Sequence, residues 1–490
     1  MLSSDLDALC IIFILTTSMC ALVKRRNFAK FAGASVAAMA AGCLGGGDDG
    51  DSGGGGGGSD GGDGGGGGDS TYGDLSDGER PMEWIGIPPF VREGQNNKFT
   101  NTFGPEIDAT GTDAGTAQQQ VMSGTVFDAV ALDATVKPAF VQNDVVEPIP
   151  ADSLTGWNEQ NIADMFWEPT ERLSHIGKQA ERMANIEYGG TAEADVGSKD
   201  ELYHHPQAFN LDAIAYNPSF VENANKWGAL FDDQYKGKVA FDAIAPIGGM
   251  EVMAHLMAKE IIDPDIDNIN TPTKDQIDTI VDWVTEEKKS GQFRVTWTAS
   301  GNSVNLMASE EVILGDLWQP ASLDVRRAGT PTRYADMAGG FNGYRFWYSS
   351  VSPIKPHARD RNNFEEVTAL TDMHYMAWFP RFIQRWGYHV GHWSNDDIVR
   401  TGEDQTGKGM GAEYYDWAHK GTPTYEPIDN PALFVPEEYD WSFEEGEPDS
   451  EGQKRDGGAL DKRVDKISVF QIFPPNGSYL LEKWNDFTSA

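Results

Sequence analysis

Cysteine is almost missing from this chain. The 490 residues include three cysteines, Cys10, Cys20 and Cys43, and none follows residue 43. The rest of the chain therefore has neither a disulfide nor a thiolate metal site. From about Glu79 onward the sequence also lacks the patterns HExxH and GxSxG. These absences argue against a secreted enzyme such as a metal-dependent hydrolase.

Positive charge is scarce as well. Lysine and arginine number 38 against 76 aspartates and glutamates, a formal net charge of -38. Nucleic acid is excluded as a partner, because its phosphates would be repelled. The acidity indicates either cation binding or life in molar salt, where the screening length is about 3 Å. We favour the halophilic interpretation, under which the charge does not identify a substrate.

Long apolar runs are missing too. The longest N-terminal run, residues 8–23, has 16 residues and is short for a spanning helix. It precedes the paired arginines Arg25 and Arg26, a mildly apolar stretch at 31–41 and the small residues before Cys43. This pattern resembles a twin-arginine export signal with a lipobox, and the alternative is a basic, alanine-rich helix start. The resemblance implies cleavage before Cys43 and lipidation of its sulfur, and we predict that Val23 is the initiator, so that residues 1–22 are not translated.

A low-complexity segment follows the signal. Residues 45–70 consist only of glycine, aspartate and serine. Such a composition cannot bury an apolar core and predicts a disordered tether over residues 43–78. We therefore expect a lipid anchor on the extracellular face of the cell membrane, a tether and then a folded body.

The folded body alternates between strand-like and helix-like segments, which predicts an α/β fold. Pro320 suits the first turn of a helix and Gly329 its end. The predicted strands are residues 127–133, 145–149, 212–217, 238–242 and the segment EEVILGDLW (310–318), and the predicted helices are residues 134–144, 250–261, 271–290 and 320–328.

Two blocks carry a specific resemblance. ALFDDQYKGKVAFD (229–242), with Trp227 just before it, and the stretch 293–340 are similar to blocks of extracellular solute-binding proteins of the spermidine/putrescine-binding branch. The resemblance covers most of residues 125–350. It implies a two-lobed periplasmic-binding-protein-like fold of type II, whose lobes close over a ligand in a cleft.

The resemblance also implies a division of the chain. We expect lobe 1 to comprise residues 79–205 and 341–400, and lobe 2 to comprise residues 206–340. A C-terminal helical segment, 401–490, would pack on both lobes. The crossings between lobes are expected near residues 203–210 and 340–344.

The segment GDLWQPAS (315–322) supplies the first site candidates. Asp316 and Trp318 would share a strand face, because side chains alternate along a strand. Trp318 matches a family position whose tryptophan lines the cleft, with a core tryptophan as the alternative. Asp316 departs from the family pattern, and its alternative role is a helix cap or a solvated acid.

The segment GYRFWYSS (343–350) supplies the second group. Trp347 matches a tryptophan that stacks on the substrate, whereas Ser349 stands where polyamine binders place an amine-binding aspartate. Losing that carboxylate weakens the provision for a buried ammonium. Arg345 shares the face of Trp347 and suggests an anionic group on the ligand instead.

Further candidates follow from strand ends and one crossing. They are Asp242, Glu251, Asp133, Thr135 and His205. Asp242 ends a strand, Glu251 is expected at the start of the next helix, and the alternative for both is a helix-cap network. His205 would reach the ligand from the first crossing, and its alternative is a polar loop.

These features predict a solute-binding lipoprotein of an ABC importer rather than an enzyme. It would act as a monomer without a cofactor, capture a polyamine-type or related organic solute and deliver it to a permease. The alternatives are a cell-surface sensor with the same fold and a binder of ferric ion or another small molecule. Ferric ion is considered because Tyr414 and Tyr415 resemble the tyrosine pair of ferric-ion binders, and the alternative role of this pair is helix packing.

Overall fold

Two β-sheets with surrounding helices make up the part of the chain that the structure describes. The computed structural model describes residues 75, 78–159, 162–194, 199–298, 300–374, 383–384, 386–391, 414–422 and 455–490. All of them belong to one compact unit, residues 59–490. The predicted signal, almost all of the predicted tether and Cys43 lie outside the described residues.

The strands are short except for β6 and β12, and the helices are mostly one to four turns long. The strands are β1 Met82–Gly86, β2 Ile107–Gly111, β3 Ala129–Asp133, β4 Ile149–Pro150, β5 Glu201–Leu202, β6 His205–Asp212, β7 Ala215–Tyr216, β8 Val239–Asp242, β9 Phe293–Trp297, β10 Leu314–Gly315, β11 Arg333–Tyr334, β12 Tyr344–Pro353 and β13 Ile467–Phe470. The helices are α1 Glu93–Phe103, α2 Ala114–Met122, α3 Lys137–Gln142, α4 Asp164–Trp167, α5 Pro169–Arg172, α6 Lys178–Gly189, α7 Ala245–Ala258, α8 Lys274–Ser290, α9 Ser300–Ala308, α10 Gln319–Arg327, α11 His357–Asp360, α12 Phe364–Met373, α13 Leu460–Val464 and α14 Gly477–Ser489.

The first sheet is built around β12. One edge of β12 pairs with β6 in antiparallel register, and the other edge pairs with β13 and then β3. Beyond β3 the order continues through β1 to β2, all parallel. All ten residues of β12 are buried, as expected for a strand covered on both faces.

The second sheet has the order β11-β7-β10-β8-β9. Its three strands β10, β8 and β9 are parallel, and β7 and β11 are antiparallel to their neighbours. Side chains from both sheets contribute to the largest apolar cluster of the described residues. The α/β class predicted from the alternating pattern is confirmed.

Among the described residues, the chain passes between the sheets at three points. It leaves the first sheet after Asp212, where β6 ends, and returns between β11 and β12. It leaves again after β13, and α14 then packs on α7 and α8. Residues 203–210, where the first crossing is expected, lie in or next to β6, which pairs with β12 of the first sheet. The lobe boundary at residue 205 stays a prediction.

Several elements follow the sequence closely. Thr273 caps α8, since its hydroxyl accepts a hydrogen bond from the Gln276 N–H at 3.3 Å while the Gln276 side chain accepts from the Thr273 N–H at 2.8 Å. The helix ends at Gly291, whose φ is +86°. Pro320 lies in the first turn of α10, and Gly329 follows its end with φ +93°.

Other elements depart from the prediction. In place of a strand over 145–149, Val146 makes one isolated bridge and β4 begins only at Ile149. The predicted strand 212–217 is interrupted between β6 and β7, and EEVILGDLW pairs as a strand only at Leu314–Gly315. The C-terminal segment, predicted to be helical, contributes β13 to the first sheet.

Helix α7 begins five residues before the predicted start, at Ala245. Gly248 and Gly249 suggest a break in the sequence, but Gly248 has a packing reason. A Cβ at this position would lie 2.2 Å from the carbonyl oxygen of Asp242, so glycine allows the helix to start directly against the end of β8. Glu251 therefore lies in the second turn of the helix and not at its start.

Candidate functional site

Four carboxylates and one guanidinium meet between the two sheets. Arg345 and Asp212 come from β12 and β6 of the first sheet, whereas Asp242, Glu251 and Asp316 come from β8, α7 and the segment after β10. We call these five residues the acidic cluster. Each is at most 1% exposed.

Arg345 links the two halves of the acidic cluster. Its Nη1 donates to Glu251 Oε1 at 2.8 Å, and its Nη2 donates to Asp212 Oδ2 at 2.7 Å. The first bond joins β12 of the first sheet to α7, the helix that follows β8 of the second sheet. Both carboxylates come from this chain, so the Arg345 charge is already compensated inside the protein.

Asp212 accepts more hydrogen bonds than any candidate chosen from the sequence. Its Oδ2 also accepts from Trp347 Nε1 at 2.8 Å, and its Oδ1 accepts from Asn210 Nδ2 at 2.7 Å and from the Tyr334 hydroxyl at 3.0 Å. The sequence analysis missed Asp212, Asn210 and Tyr334. The available signal was the aspartate within the apolar run FNLDAIAY, but its partners depend on the pairing of β6 with β12.

Asp242 and Asp316, which belong to the second sheet and the segment after β10, are joined by hydrogen bonds. The Asp242 N–H donates to both carboxylate oxygens of Asp316, at 2.8 and 2.9 Å. Asp242 Oδ1 in turn accepts from the Ile244 N–H at 2.8 Å, just before α7. Asp242 therefore makes a local backbone bond of the kind expected near a helix start, whereas Asp316 binds the backbone of a strand 74 residues away in sequence. The charges of both acids interact with that of Arg345.

The acidic cluster has more carboxyl groups than one guanidinium can balance. Burial, followed by the charge of Asp316, raises the pKa of Asp242 well above its usual value. Burial also raises the pKa of Glu251 well above normal, and Arg345 opposes this effect only in part. Burial raises the pKa of Asp316 as well, and its interaction with Glu251 lowers the pKa of Asp316 in part while it raises that of Glu251.

Arg345 shows the complementary effect. Burial by itself would lower its pKa, but Glu251, Asp212 and Asp242 together raise it. Asp242 Oδ2 and Glu251 Oε2 are buried and accept no hydrogen bond from the N–H or O–H groups of the described residues. Burial and mutual repulsion therefore favour the protonated forms of Asp242 and Glu251.

The two candidate tryptophans have different surroundings. Trp347 is 6% exposed and packs edge-on against Tyr388, with ring centroids 4.7 Å apart. Trp318 is partly exposed and packs against Trp297 at 5.3 Å. Trp318 directly precedes α10 and does not lie in a strand, so the strand face predicted for Asp316 and Trp318 is absent.

A second group of candidates lies further along β12. Ser349 pairs with Asp133 in the register of β12 and β3, and its hydroxyl accepts from Gln207 Nε2 at 2.9 Å. At a rise of about 3.3 Å per residue, Ser349 is about 13 Å from Arg345. Thr135 donates its N–H to Asp133 Oδ1 at 2.8 Å.

His205 lies at the far end of β6 from Asp212. The two residues are seven steps apart along the strand, a distance of about 23 Å at about 3.3 Å per step. His205 is buried and stacks on His374, with ring centroids 5.8 Å apart. It therefore does not meet the acidic cluster, and burial lowers its pKa to about 3.

Within the described residues, no group of three or more histidine, cysteine, aspartate or glutamate side chains is arranged to hold a metal ion. The Tyr414 hydroxyl is directed to the Gln384 carbonyl at 3.5 Å, and Tyr415 packs on His419. None of the described helices has the length and apolar character needed to cross a membrane.

Comparison with known proteins gives structural similarity only. No protein-family model matches the sequence, and no curated protein matches it. A Listeria monocytogenes protein described as a spermidine/putrescine ABC transporter is similar with a TM-score of 0.53 and 12% identity, covering 83% of this chain and 98% of that chain. The Tp0655 (TpPotD) lipoprotein of Treponema pallidum is similar with a TM-score of 0.52 and 11% identity, with the same coverage of both chains.

The chain has a type II periplasmic-binding-protein-like fold. The similarity extends over nearly the full length of both neighbours, which confirms the fold predicted from the sequence. In this fold class a ligand lies between two lobes that close by a hinge motion. In this chain the members of the acidic cluster come from elements of both sheets.

Proposed function

We propose that this protein is an extracellular solute-binding protein that captures a small organic cation and delivers it to the permease of an ABC importer. It performs no chemistry on the solute. The observation that carries the proposal is the acidic cluster, in which four buried carboxyl groups from both sheets surround one arginine.

The charge of the cluster favours a cation over an anion. With all carboxyl groups ionised, the five side chains would carry an excess of negative charge, and isolated buried charge is strongly unfavourable. Protons relieve this excess in the absence of solute, and an ammonium group is the alternative. The earlier suggestion that Arg345 binds an anionic group is not supported, because Glu251 and Asp212 already occupy its guanidinium.

Polyamines are the solutes that we consider first. Spermidine and putrescine appear in the description of one structural neighbour. Asp212 and Asp242 are candidate replacements for the carboxylate that is missing at Ser349. Asp212 lies on β6, which pairs with β12, and Asp242 lies near Arg345, so both supply negative charge from another direction. Asp133 lies opposite Ser349 and would take part in holding a second amine further along the cleft.

Solute entry requires the sheets to separate. Every member of the acidic cluster is buried, and Arg345 bridges the halves through Glu251 and Asp212. We infer that opening breaks the Arg345–Glu251 bond and that a bound cation stabilises the closed arrangement. The partly exposed Trp318 would contact the solute at the edge of the cleft.

A thermal-unfolding panel in multi-molar salt tests the proposal. The panel contains putrescine, spermidine, thiamine-like cations, amino-acid derivatives and small carboxylates. A ligand of the native state raises the midpoint by mass action, and we expect organic cations to do so. A rise with carboxylates alone would contradict cation capture.

Variants and proton release sharpen this test. Trp318→Ala is expected to abolish the rise, whereas Trp283→Ala, a partly exposed tryptophan packed on Phe231, should leave it intact. Calorimetry in buffers of different ionisation enthalpy should show proton release on binding, because the cation replaces protons on Asp242 and Glu251. Binding without proton release would place the solute elsewhere.

The cellular role rests on the same proposal. We propose that the chain acts as a monomer held at the outer face of the membrane by a lipid on Cys43. Import predicts genes for a permease and an ATPase beside this one, whereas their absence would favour a sensor that uses the same fold. Mass spectrometry of the mature N-terminus tests the lipid on Cys43.

A further inference from the structure

A second buried charge cluster has the opposite sign. It contains three arginines and one aspartate, and it lies beside β6 and α10, next to buried histidines. Its members are Arg326, Arg455, Arg463 and Asp456, and we call them the basic cluster. Each is at most 4% exposed.

The single carboxylate of this cluster is already engaged. Asp456 Oδ2 accepts from Arg326 Nη2 and from the Tyr334 N–H, the latter at 2.7 Å. Arg326 also donates Nε to the Thr332 carbonyl at 2.5 Å. One of the three positive charges is therefore paired, and two are left without a carboxylate contact among the described residues.

Arg455 makes hydrogen bonds only to neutral groups among those residues. Its Nη2 donates to the Gly387 carbonyl at 3.1 Å and to the Gln319 amide oxygen at 3.4 Å. The Tyr414 hydroxyl, another neutral group, also interacts with this guanidinium. The Nε and Nη1 atoms of Arg455 are buried and have no acceptor with hydrogen-bond geometry in the part of the chain that the structure describes. A buried donor without an acceptor costs about 1–3 kcal/mol, and more for a charged group.

Arg463 also has buried donor atoms that lack an acceptor among the described residues. Its Nη2 donates to the Leu211 carbonyl at 2.5 Å, and its guanidinium lies over the Tyr344 ring, 4.8 Å from the centroid. Its Nε and Nη1 are likewise buried and have no acceptor among the described residues. The two arginines thus present four unsatisfied N–H-bearing nitrogens in one region of the core.

The electrostatics agree that these charges are not balanced. Burial, followed by the charge of Arg463, lowers the pKa of Arg455 to about 10. Burial, followed by nearby arginines, lowers the pKa of Arg326 to about 9. His389 has its pKa lowered well below its usual value by burial, Arg455 and Arg463, so it is neutral and does not add to the charge.

We propose that the basic cluster binds a small inorganic anion, of the size and charge of chloride, between Arg455 and Arg463. Such an ion accepts several N–H bonds without a preferred direction and supplies the missing negative charge. The burial of both arginines leaves out larger anions such as an organic carboxylate. This site differs from the acidic cluster in sign and in its residues.

Anion exchange at fixed sodium concentration tests this site. The full chain is held at a constant, molar sodium concentration while chloride replaces gluconate, which is too large for a buried site. We expect the unfolding midpoint to rise with chloride and to level off, by about 2 °C or more. A midpoint that is independent of the anion would mean that a carboxylate of the chain itself fills the site, and it would overturn the proposal.

Matched arginine variants show where the effect arises. Arg455→Met should lose the chloride dependence, whereas Arg294→Met should keep it, because Arg294 is half-exposed and paired with Glu311. An equal chloride dependence in both variants would place the anion elsewhere and reject the site.

Direct detection covers the case in which Arg455→Met does not fold. Crystals of the unaltered chain grown in bromide should show an anomalous peak within hydrogen-bond distance of both Arg455 and Arg463. A well-ordered cluster without such a peak would contradict the proposal.

Discussion

The acidic and basic clusters are both buried, yet they treat excess charge in different ways. Carboxyl groups can take up protons, and burial raises the pKa of Glu251 and Asp242, so protonation can relieve the excess charge of the acidic cluster. Guanidinium groups stay charged near neutral pH, so the basic cluster needs an anion. Tyr334 joins the two clusters, since its hydroxyl donates to Asp212 and its N–H donates to Asp456.

The difference teaches that the same burial has opposite consequences for the two signs of charge. In the acidic cluster, Arg345 is the single cation and holds two carboxyl groups at once. In the basic cluster, Arg455 is one of several cations and contacts no carboxylate among the described residues. Replacing Arg345 should therefore lower the free energy of unfolding, whereas replacing Arg455 should be tolerated.

The largest expected effect comes from replacing the two arginines. Arg345→Met should lower the free energy of unfolding by about 3–5 kcal/mol, because it leaves several carboxyl groups without a cation. Arg455→Met, measured in gluconate, should cause no loss or a small gain. Urea denaturation at constant salt measures both, and equal losses would show that the clusters do not differ as we describe.

A second effect is expected at Asp212. Asp212→Asn should lower the free energy of unfolding by about 2–4 kcal/mol, because an amide faces Arg345 and Trp347 donors in place of a carboxylate. The matched control is Asp336→Asn, since Asp336 is largely exposed and paired with Lys466, and it should cost less than about 1 kcal/mol. Similar losses in urea denaturation would mean that Asp212 is not the main acceptor of the cluster.

A smaller effect is expected at Trp347. Trp347→Phe keeps the ring packing on Tyr388 but removes the Nε1 donor to Asp212, which should cost about 1–2 kcal/mol. Trp318→Phe, at a partly exposed position, should cost less than about 1 kcal/mol. If the order of the two losses is reversed in urea denaturation, the hydrogen bond to Asp212 contributes little to stability.

The smallest expected effect is a change in how steeply the free energy of unfolding depends on pH. Because the pKa of Glu251 is raised on folding, the native state binds more protons than the unfolded state above about pH 4.5. The free energy of unfolding should therefore fall as pH rises above that value, with one proton contributing at most about 1.4 kcal/mol per pH unit. Glu251→Gln should flatten this slope, whereas the exposed Glu286→Gln should leave it unchanged, and an unchanged slope in both would indicate that Glu251 is ionised in the native state.

The local pattern of the sequence predicted much of the fold. The capping box at Thr273 and Gln276, the proline at 320 and the buried strand ending at Asp133 all depend on neighbours within a few residues. The predicted α/β class and the type II fold are confirmed by the sheets and by the structural neighbours. Short strands such as β7 and β10 were misplaced, because their bounds depend on pairing with strands far away in sequence.

The candidate site was predictable only in part. Alternation along β12 placed Arg345 and Trp347 on one face, and both side chains contact Asp212. Asp242 was predicted from a strand end, Glu251 from a helix start and Asp316 from a strand face. Their common electrostatic interaction with Arg345 depends on how the two halves pack. His205 was chosen from an expected crossing, and the pairing of β6 with β12 places it at the other end of the strand.

The sequence alone determined the classes of segment, the shortage of cysteine and positive charge, and the acids and aromatic residues available for a site. Tertiary structure decided which of these residues meet. Asp212 and Arg345 are 133 residues apart, and Arg455 and Gln319 are 136 apart, so their contacts arise only from strand pairing and from the return of the C-terminal segment. Charge balance in the core is a property of such distant contacts, and therefore the sign of each cluster could not be read from local sequence.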